Sequence, residues 1–391
     1  MHPSHLSDRA YVNRASDPID PHNPFSNPTE ESEYTPDYSE IVPQITIPGC
    51  RIPLIPSSGE KDKIRYFYTV SGCLALFDFL LAALLSALLM CAAGFALRSV
   101  DSALLSSELP QNYKNIRAAY LDDSCIAIGI SLLSFLAANL ITFFVGSRIT
   151  HIRIKDYFQD QSLRTGTMMR YIAMGLWIQL VAGFLTHLLI RILENNGLSI
   201  YTPDFSSGNS ITKLLLTVLY TAFIAPLTEE LVFRGVILKN LSRVSQRFGI
   251  FCSAFFFAIA HENLPQGILS FFLGIFLAYI TISHNSLVPA MIVHFSVNMV
   301  TMLSGTLQQM FPASAVSVSS IYMLAVLLFG SAAFFYTFLS ERLPVETPHQ
   351  SFRGIRIALT APGIWLLVLA HIFFILLPHF SDAIEHLFMK G

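Results

Sequence analysis

ITKLLLTVLYTAFIAPLTEELVFRG, residues 211–235, opens as an apolar run and closes on two adjacent carboxylates and an arginine, Glu229, Glu230 and Arg234. The run reads as the start of a transmembrane helix, which needs about 20 residues to cross about 30 Å of hydrocarbon. A charged side chain at that depth costs about 2.5 kcal/mol or more, so each of the three is a candidate functional residue. Glu230 and Arg234 are four apart and share a helical face. Glu229 lies about 100° round the helix and is free to point elsewhere. Two neighbouring carboxylates in a poorly solvated place cannot both ionise cheaply unless a cation holds one of them charged. Arg234 can do that for Glu230, which leaves Glu229 as the group able to take a proton from water.

Outward from this stretch the chain is built for lipid. Of its 391 residues 53% are hydrophobic and 13% charged, against about 25% charged in soluble domains, and the mean hydropathy is +0.55. Further apolar stretches fall at 68–97, 125–145, 168–193, 287–303, 320–339 and 358–377, with shorter ones at 250–260 and 267–282. The expected fold is therefore an all-α polytopic transmembrane helical bundle of about eight or nine spans around an intramembrane catalytic cavity. It divides into a polar amino-terminal tail (1–63), amino-terminal helices (64–205), a catalytic core (206–304) and carboxy-terminal helices (305–391). The tail is rich in Pro, Ser, Asp and Glu and has too few apolar residues to offset the entropy of ordering it. No apolar core follows a basic start within the first thirty residues, so the first transmembrane helix is expected to drive insertion.

Loop charge suggests an orientation. In a nine-span reading that starts inside, the inner segments hold Lys61, Lys63 and Arg65; Arg148, Arg153, Lys155 and Arg164; Lys239, Arg243 and Arg247; and Arg342, Arg353 and Arg356. The outer segments hold only Lys114, Arg117 and Lys390. A cytoplasmic amino terminus, in a plasma membrane, is the expectation. The short 250–260 piece leaves the carboxy-terminal side open. A net charge of −2 offers no basic field for phosphate, so nucleic acid is excluded as a partner. The expected partners are the bilayer and a membrane-associated peptide or protein. Cys50, Cys73, Cys91, Cys125 and Cys252 are scattered singly and read as small buried hydrophobes rather than a disulfide frame or zinc site.

Two more segments carry chemistry. FFFAIAH puts Phe257 and His261 on one helical face, and LVPAMIVHFSVN does the same for His294 and Asn298. Amide hydrolysis needs a base for water, donors for the developing oxyanion and an acid for the leaving amine. Glu229 with His261 supplies the first and last, and His294 with Asn298 supplies the donors. Phe257 reads as packing beside the site. Two Glu and two His would also suit a divalent metal in ligand type. Arg234 would oppose a cation there, and the zinc-protease pattern fails because Pro265 stands where a second His is needed. No cofactor is the favoured expectation.

These three segments resemble the CPBP family of intramembrane glutamic endopeptidases, which includes the CAAX prenyl proteases and the Abi or bacteriocin self-immunity proteins. The family's E-E-x-x-x-R, F-x-x-x-H and H-x-x-x-N motifs match Glu229, Glu230 and Arg234, then Phe257 and His261, then His294 and Asn298, in order. The resemblance covers about a quarter of the chain, roughly 211–304. It implies a cavity open to the cytosol, where Glu229 and His261 activate water without a metal, His294 and Asn298 form the oxyanion hole, and Glu230 with Arg234 orders the site. A prenylated substrate does not follow from the motifs.

Other readings stand beside this one. The Glu229 and Glu230 pair alone would suit a structural ion pair at a helix end. A proton-coupled transporter could also use intramembrane Glu, His and Arg, though the chain shows no duplicated halves. A catalytically idle immunity or scaffold protein of the same fold would look the same in sequence. Asp78 lies inside the first span and reads mainly as a partner for a neighbouring helix or a wet cavity. His187 and His371 read as core or interface residues, Arg191 as snorkelling to the interface, and Gly267 and Gly274 as close helix packing. One tension remains: if 250–260 crossed the membrane fully, His261 would end on the side opposite Glu229. A tilted or buried half-helix would remove it.

Overall fold

The computed structural model describes residues 58–100, 125–158, 163–198, 200, 210–340 and 356–388. Residues 1–57 of the expected tail, and Lys114, Arg117, Arg342, Arg353 and Lys390 of the loop-charge reading, lie outside the described residues.

The described residues form nine principal helices: α1 (Ser58–Val100), α2 (Cys125–Ile149), α3 (Thr165–Asn195), α4 (Ile211–Ser242), α5 (Gln246–Ile259), α6 (Leu264–His284), α7 (Val288–Met310), α8 (Pro312–Ser340) and α9 (Pro362–Phe388). Among the described residues no strand forms, only an isolated bridge between Phe158 and Ser286. Seven helices are long and apolar enough to cross a membrane, while α5 and the Pro362–Ile375 part of α9 are shorter. A backbone in hydrocarbon must satisfy its polar groups internally, which helices do. The protein is an integral, multi-pass membrane protein, and its apolar stretches map one to one onto these helices.

Two features of α4 to α6 position the chemistry. First, α4 is not a uniform α-helix: Leu219–Ile224 and Leu231–Ile237 take the wider π form, with one α-helical turn, Ala225–Glu230, between them. Such bulges change which carbonyls the ladder uses and often sit at functional sites. Pro226 has no N–H to give, and five residues earlier the Thr221 carbonyl accepts instead from Asn298 Nδ2 at 2.9 Å. Likewise the Phe233 carbonyl accepts from Ser253 Oγ at 2.8 Å. Second, α5 has 14 residues, about 21 Å at 1.5 Å per residue, and packs against the last turns of α4 and against α6. After the turn at 243–245 it runs back only part of the bilayer thickness. His261 therefore returns to the depth of Glu229, and a buried half-helix removes the topological tension.

Two clusters make up most of the apolar interior among the described residues. One gathers Tyr68 of α1, Val232, Phe233 and Ile237 of α4, Phe256 and Phe257 of α5, and Leu367 of α9. The other gathers Tyr171 of α3, Leu277 and Ile280 of α6, and Val293 and Val297 of α7. The loop after α2 locks against α4: the fully buried Lys239 donates from Nζ to the Asp156 carbonyl, and buried Tyr157 bonds Ser147 Oγ at 2.8 Å.

α1 and α9 cross with backbones in contact, because a methyl group on Gly72 or Gly363 would run into the backbone of the other helix. Small residues permit such approaches in lipid. Gly363→Val is expected to destabilise the protein by about 1–3 kcal/mol, read as a lower thermal unfolding midpoint in detergent. An unchanged midpoint would mean that the two helices do not pack this closely.

Several single-residue expectations change. Cys73 and Cys91 are exposed and Cys125 is half-buried, so of these four only Cys252 is a buried hydrophobe. His187 is exposed, whereas His371 is buried against the Phe79 ring at 4.5 Å. The reason is that lipid is as apolar as the core, so a small or amphipathic residue on these helices finds no penalty in facing outward.

Candidate active site

In the α4 turn Ala225–Glu230 every residue except Leu227 is buried. Glu230 and Arg234 are 0% exposed, Glu229 is 8% exposed and His294 is 4% exposed. Charges this deep persist only when paired, and the pairing is mutual. Glu230 Oε1 lies 3.0 Å from Arg234 Nη1 and accepts from His294 Nδ1 at 2.9 Å. The arginine contact is an ion pair without hydrogen-bond alignment. Its guanidinium stands over the Phe257 ring, with Cζ 4.2 Å from the ring centroid, a favourable cation–π position. A side chain at residue 274 would crowd Arg234, since a Cβ there would stand 3.1 Å from Nη2 and 3.2 Å from Ala254 Cβ. Gly274 therefore serves the arginine as well as helix packing, a use that the sequence reading missed.

With Nδ1–H committed to Glu230, His294 turns its other nitrogen toward Glu229: Nε2 stands 3.9 Å from Oε2. That exceeds a direct hydrogen bond but is within ion-pair reach. Phe257 is the common wall, meeting His261 edge-on at 4.9 Å and His294 edge-on at 5.8 Å between centroids.

His261 sits in the turn between α5 and α6. Its Nδ1 donates to the Phe257 carbonyl at 2.8 Å, because a carbonyl can only accept. In the neutral ring Nε2 is then an acceptor, and it faces Ser270 Oγ at 3.0 Å. Glu229, His294 and Arg234 all lie close enough to act on the His261 charge. Asn263 orders this turn by donating from Nδ2 to the His261 carbonyl at 2.7 Å and capping α6 through Gln266 N at 2.9 Å. Glu262 holds a left-handed backbone conformation with φ 54° and is exposed. Ser270 and Asn263 carried no signal in the sequence, where hydroxyl and amide residues recur throughout the apolar stretches.

Asn298 stands one turn beyond His294 on α7 and reaches α4 two turns before Glu229, at the Thr221 carbonyl. The structure thus brings Glu229, Glu230, Arg234, Phe257, His261 and His294 into one cluster and sets Asn298 at its edge. An apolar cavity of about 480 Å³ lies elsewhere, lined by Trp177, Phe272, Phe276, Tyr279 and Phe334 among others, and by none of the seven candidate residues. Among the described residues no group of three or more His, Cys, Asp or Glu is arranged to hold a metal ion.

Comparison with known proteins adds one match. Residues 211–300 fit the model of a family described as Rce1-like, type II CAAX prenyl endopeptidase. The match spans α4 to the middle of α7 and contains all seven residues. No curated protein and no solved structure matches the chain.

Proposed function

We propose, from the match of residues 211–300 to the model of the Rce1-like family of type II CAAX prenyl endopeptidases, that this chain is an intramembrane endopeptidase of the glutamic type. It hydrolyses peptide bonds of membrane-associated peptides or proteins. The observation that carries the reading is the division of labour between adjacent carboxylates: Glu230 is consumed by Arg234 and His294, while Glu229 is left facing His294 Nε2.

In the reaction, Glu229 with His261 takes a proton from water as the water oxygen bonds to the scissile carbonyl carbon. The carbonyl electrons move onto oxygen, and the oxyanion is met by the Nε2–H of His294 and by an amide N–H of Asn298. When the carbon–nitrogen bond breaks, the proton returns to the leaving amine. Glu230 fixes the His294 ring much as a carboxylate does for a catalytic histidine elsewhere. Arg234 supplies the site's fixed positive charge, and water is activated without a metal. In this reading residues 206–304 form the catalytic unit within flanking helices, the amino terminus lies in the cytoplasm, and the site is reached from that side.

The test is a comparison of membrane proteomes from cells with the parent chain and cells with Glu229→Gln. At least one membrane protein is expected to accumulate uncut with the variant. Identical sets of cleaved termini, with both proteins inserted at equal levels, would overturn the reading.

A further inference from the structure

Asp78 sits in the interior of α1 at 6% exposure, a carboxylate that the reaction above does not use. Asn139 of α2, itself 0% exposed, stands against it beside Thr142 of the same helix. The amide orientation follows from its neighbours. With the nitrogen toward Asp78, Asn139 donates to Oδ2 at 3.0 Å and Oδ1 at 3.2 Å, and its carbonyl accepts from Thr228 Oγ1 at 2.7 Å. In this orientation both Asp78 oxygens accept from the one amide. Thr228 immediately precedes Glu229, and Asp78 lies close enough to Glu229 for their charges to interact.

We propose that Asp78 is a positioning residue of the site: through Asn139 it holds the Thr228 hydroxyl and so sets the turn of α4 from which Glu229 projects. The hydroxyl has a single proton, and a second acceptor competes for it, the Ile224 carbonyl at 2.9 Å. Asp78 keeps the Asn139 carbonyl turned toward Thr228. Without that carboxylate the amide is free to rotate; its Nδ2 can then donate to Thr228 Oγ1 at the same 2.7 Å while the hydroxyl gives its proton to Ile224. The link from α2 can then run in either direction and no longer fixes the short α-helical turn between the two π segments in one arrangement. A turn flanked by π bulges is the part of α4 where backbone register is least constrained by its own ladder. The chain Asp78, Asn139, Thr228 thus runs through three helices and ends one residue from the base.

This inference rests on the hydrolase reading, and the experiment separates the two. Asp78→Leu, Asn139→Asp and the exchange Asp78→Asn with Asn139→Asp are reconstituted in lipid vesicles beside the parent and Glu229→Gln. Each is given an internally quenched peptide ending in a prenylated CAAX sequence. Asp78→Leu and Asn139→Asp are expected to lower kcat about tenfold or more with KM within about twofold, because misplacing a reacting group by an ångström costs this much or more. The exchange restores one amide facing one carboxylate and is expected to recover kcat to within about threefold of the parent. A pure packing role would move stability without this rescue.

A second readout needs no substrate. Dicyclohexylcarbodiimide, which partitions into membranes and modifies carboxyl groups, is mapped on Glu229 by mass spectrometry. Its rate there is expected to shift about threefold or more in both single changes and to return in the exchange. If the parent and Glu229→Gln cut the peptide equally, or neither cuts it, the hydrolase assignment for this substrate falls and the labelling alone decides the positioning role. If the parent cuts it and the Asp78 and Asn139 changes alter neither kcat nor labelling, the positioning role is overturned and the hydrolase reading stands.

Discussion

Glu229→Gln is expected to lower the rate of peptide hydrolysis about 10³-fold while leaving KM and thermal stability nearly unchanged, since general-base catalysis contributes about 10²–10⁴. Glutamine keeps the volume and one acceptor oxygen of the glutamate but cannot take a proton. Stability should hold because the arginine does not depend on this residue: Arg234 has Glu230 at 3.0 Å. His294 likewise keeps its 2.9 Å bond to Glu230. The result is read as turnover of a prenylated CAAX peptide, or of whichever membrane protein accumulates uncut, together with an unfolding midpoint in detergent. The outcome distinguishes the hydrolase from two of the other readings. An idle scaffold would lose nothing on this change, and a structural ion pair would lose stability rather than rate. A variant keeping more than about a tenth of the parent rate would exclude Glu229 as the base.

The sequence showed the outline of this site but not its joints. Nine apolar stretches and three polar motifs are compositional facts, and the helices follow from them because lipid leaves the backbone few alternatives. Which side of a helix faces inward is another matter. In a soluble protein a polar face marks the outside, but here both surroundings are apolar, and so Cys73, Cys91 and His187 gave no hint that they face out. The π segments of α4 were equally hidden. They answer to Asn298 and Ser253, residues 77 and 20 positions away that bond the Thr221 and Phe233 carbonyls, and no local propensity encodes such partners. The depth of His261 turned on a length that was in plain view, 14 residues in α5. The shortness of the apolar stretch at 250–260 already pointed to a tilted or buried half-helix. Asn139 stood in an apolar stretch as visibly as Asp78 did, yet one amide carries no meaning until the fold puts a carboxylate on one side of it and Thr228 on the other.

Arg234→Leu is expected to cost about 3–5 kcal/mol of stability, the largest loss of any single change at the site, because it leaves a buried carboxylate short of its cation. Glu230 is 0% exposed and would retain only His294. The loss would be measured as a collapse of the unfolding midpoint or failure to accumulate in the membrane. Arg234→Lys should fall between leucine and the parent. A lysine keeps the charge but is a compact, strongly hydrated ammonium, without the broad guanidinium that stands over the Phe257 ring at 4.2 Å. The decisive comparison is the double change Glu230→Gln with Arg234→Leu. With both charges gone, nothing ionic is stranded, and more than half of the stability lost in Arg234→Leu should return, as for other buried pairs replaced together. Activity should not return, because His294 then has an amide in place of the carboxylate that holds Nδ1 and aims Nε2 at Glu229. If the double change were as unstable as Arg234→Leu alone, the arginine would owe its place to packing against Phe257 and Gly274 and not to Glu230. If it were stable and fully active, Glu230 would have no part in orienting the histidine.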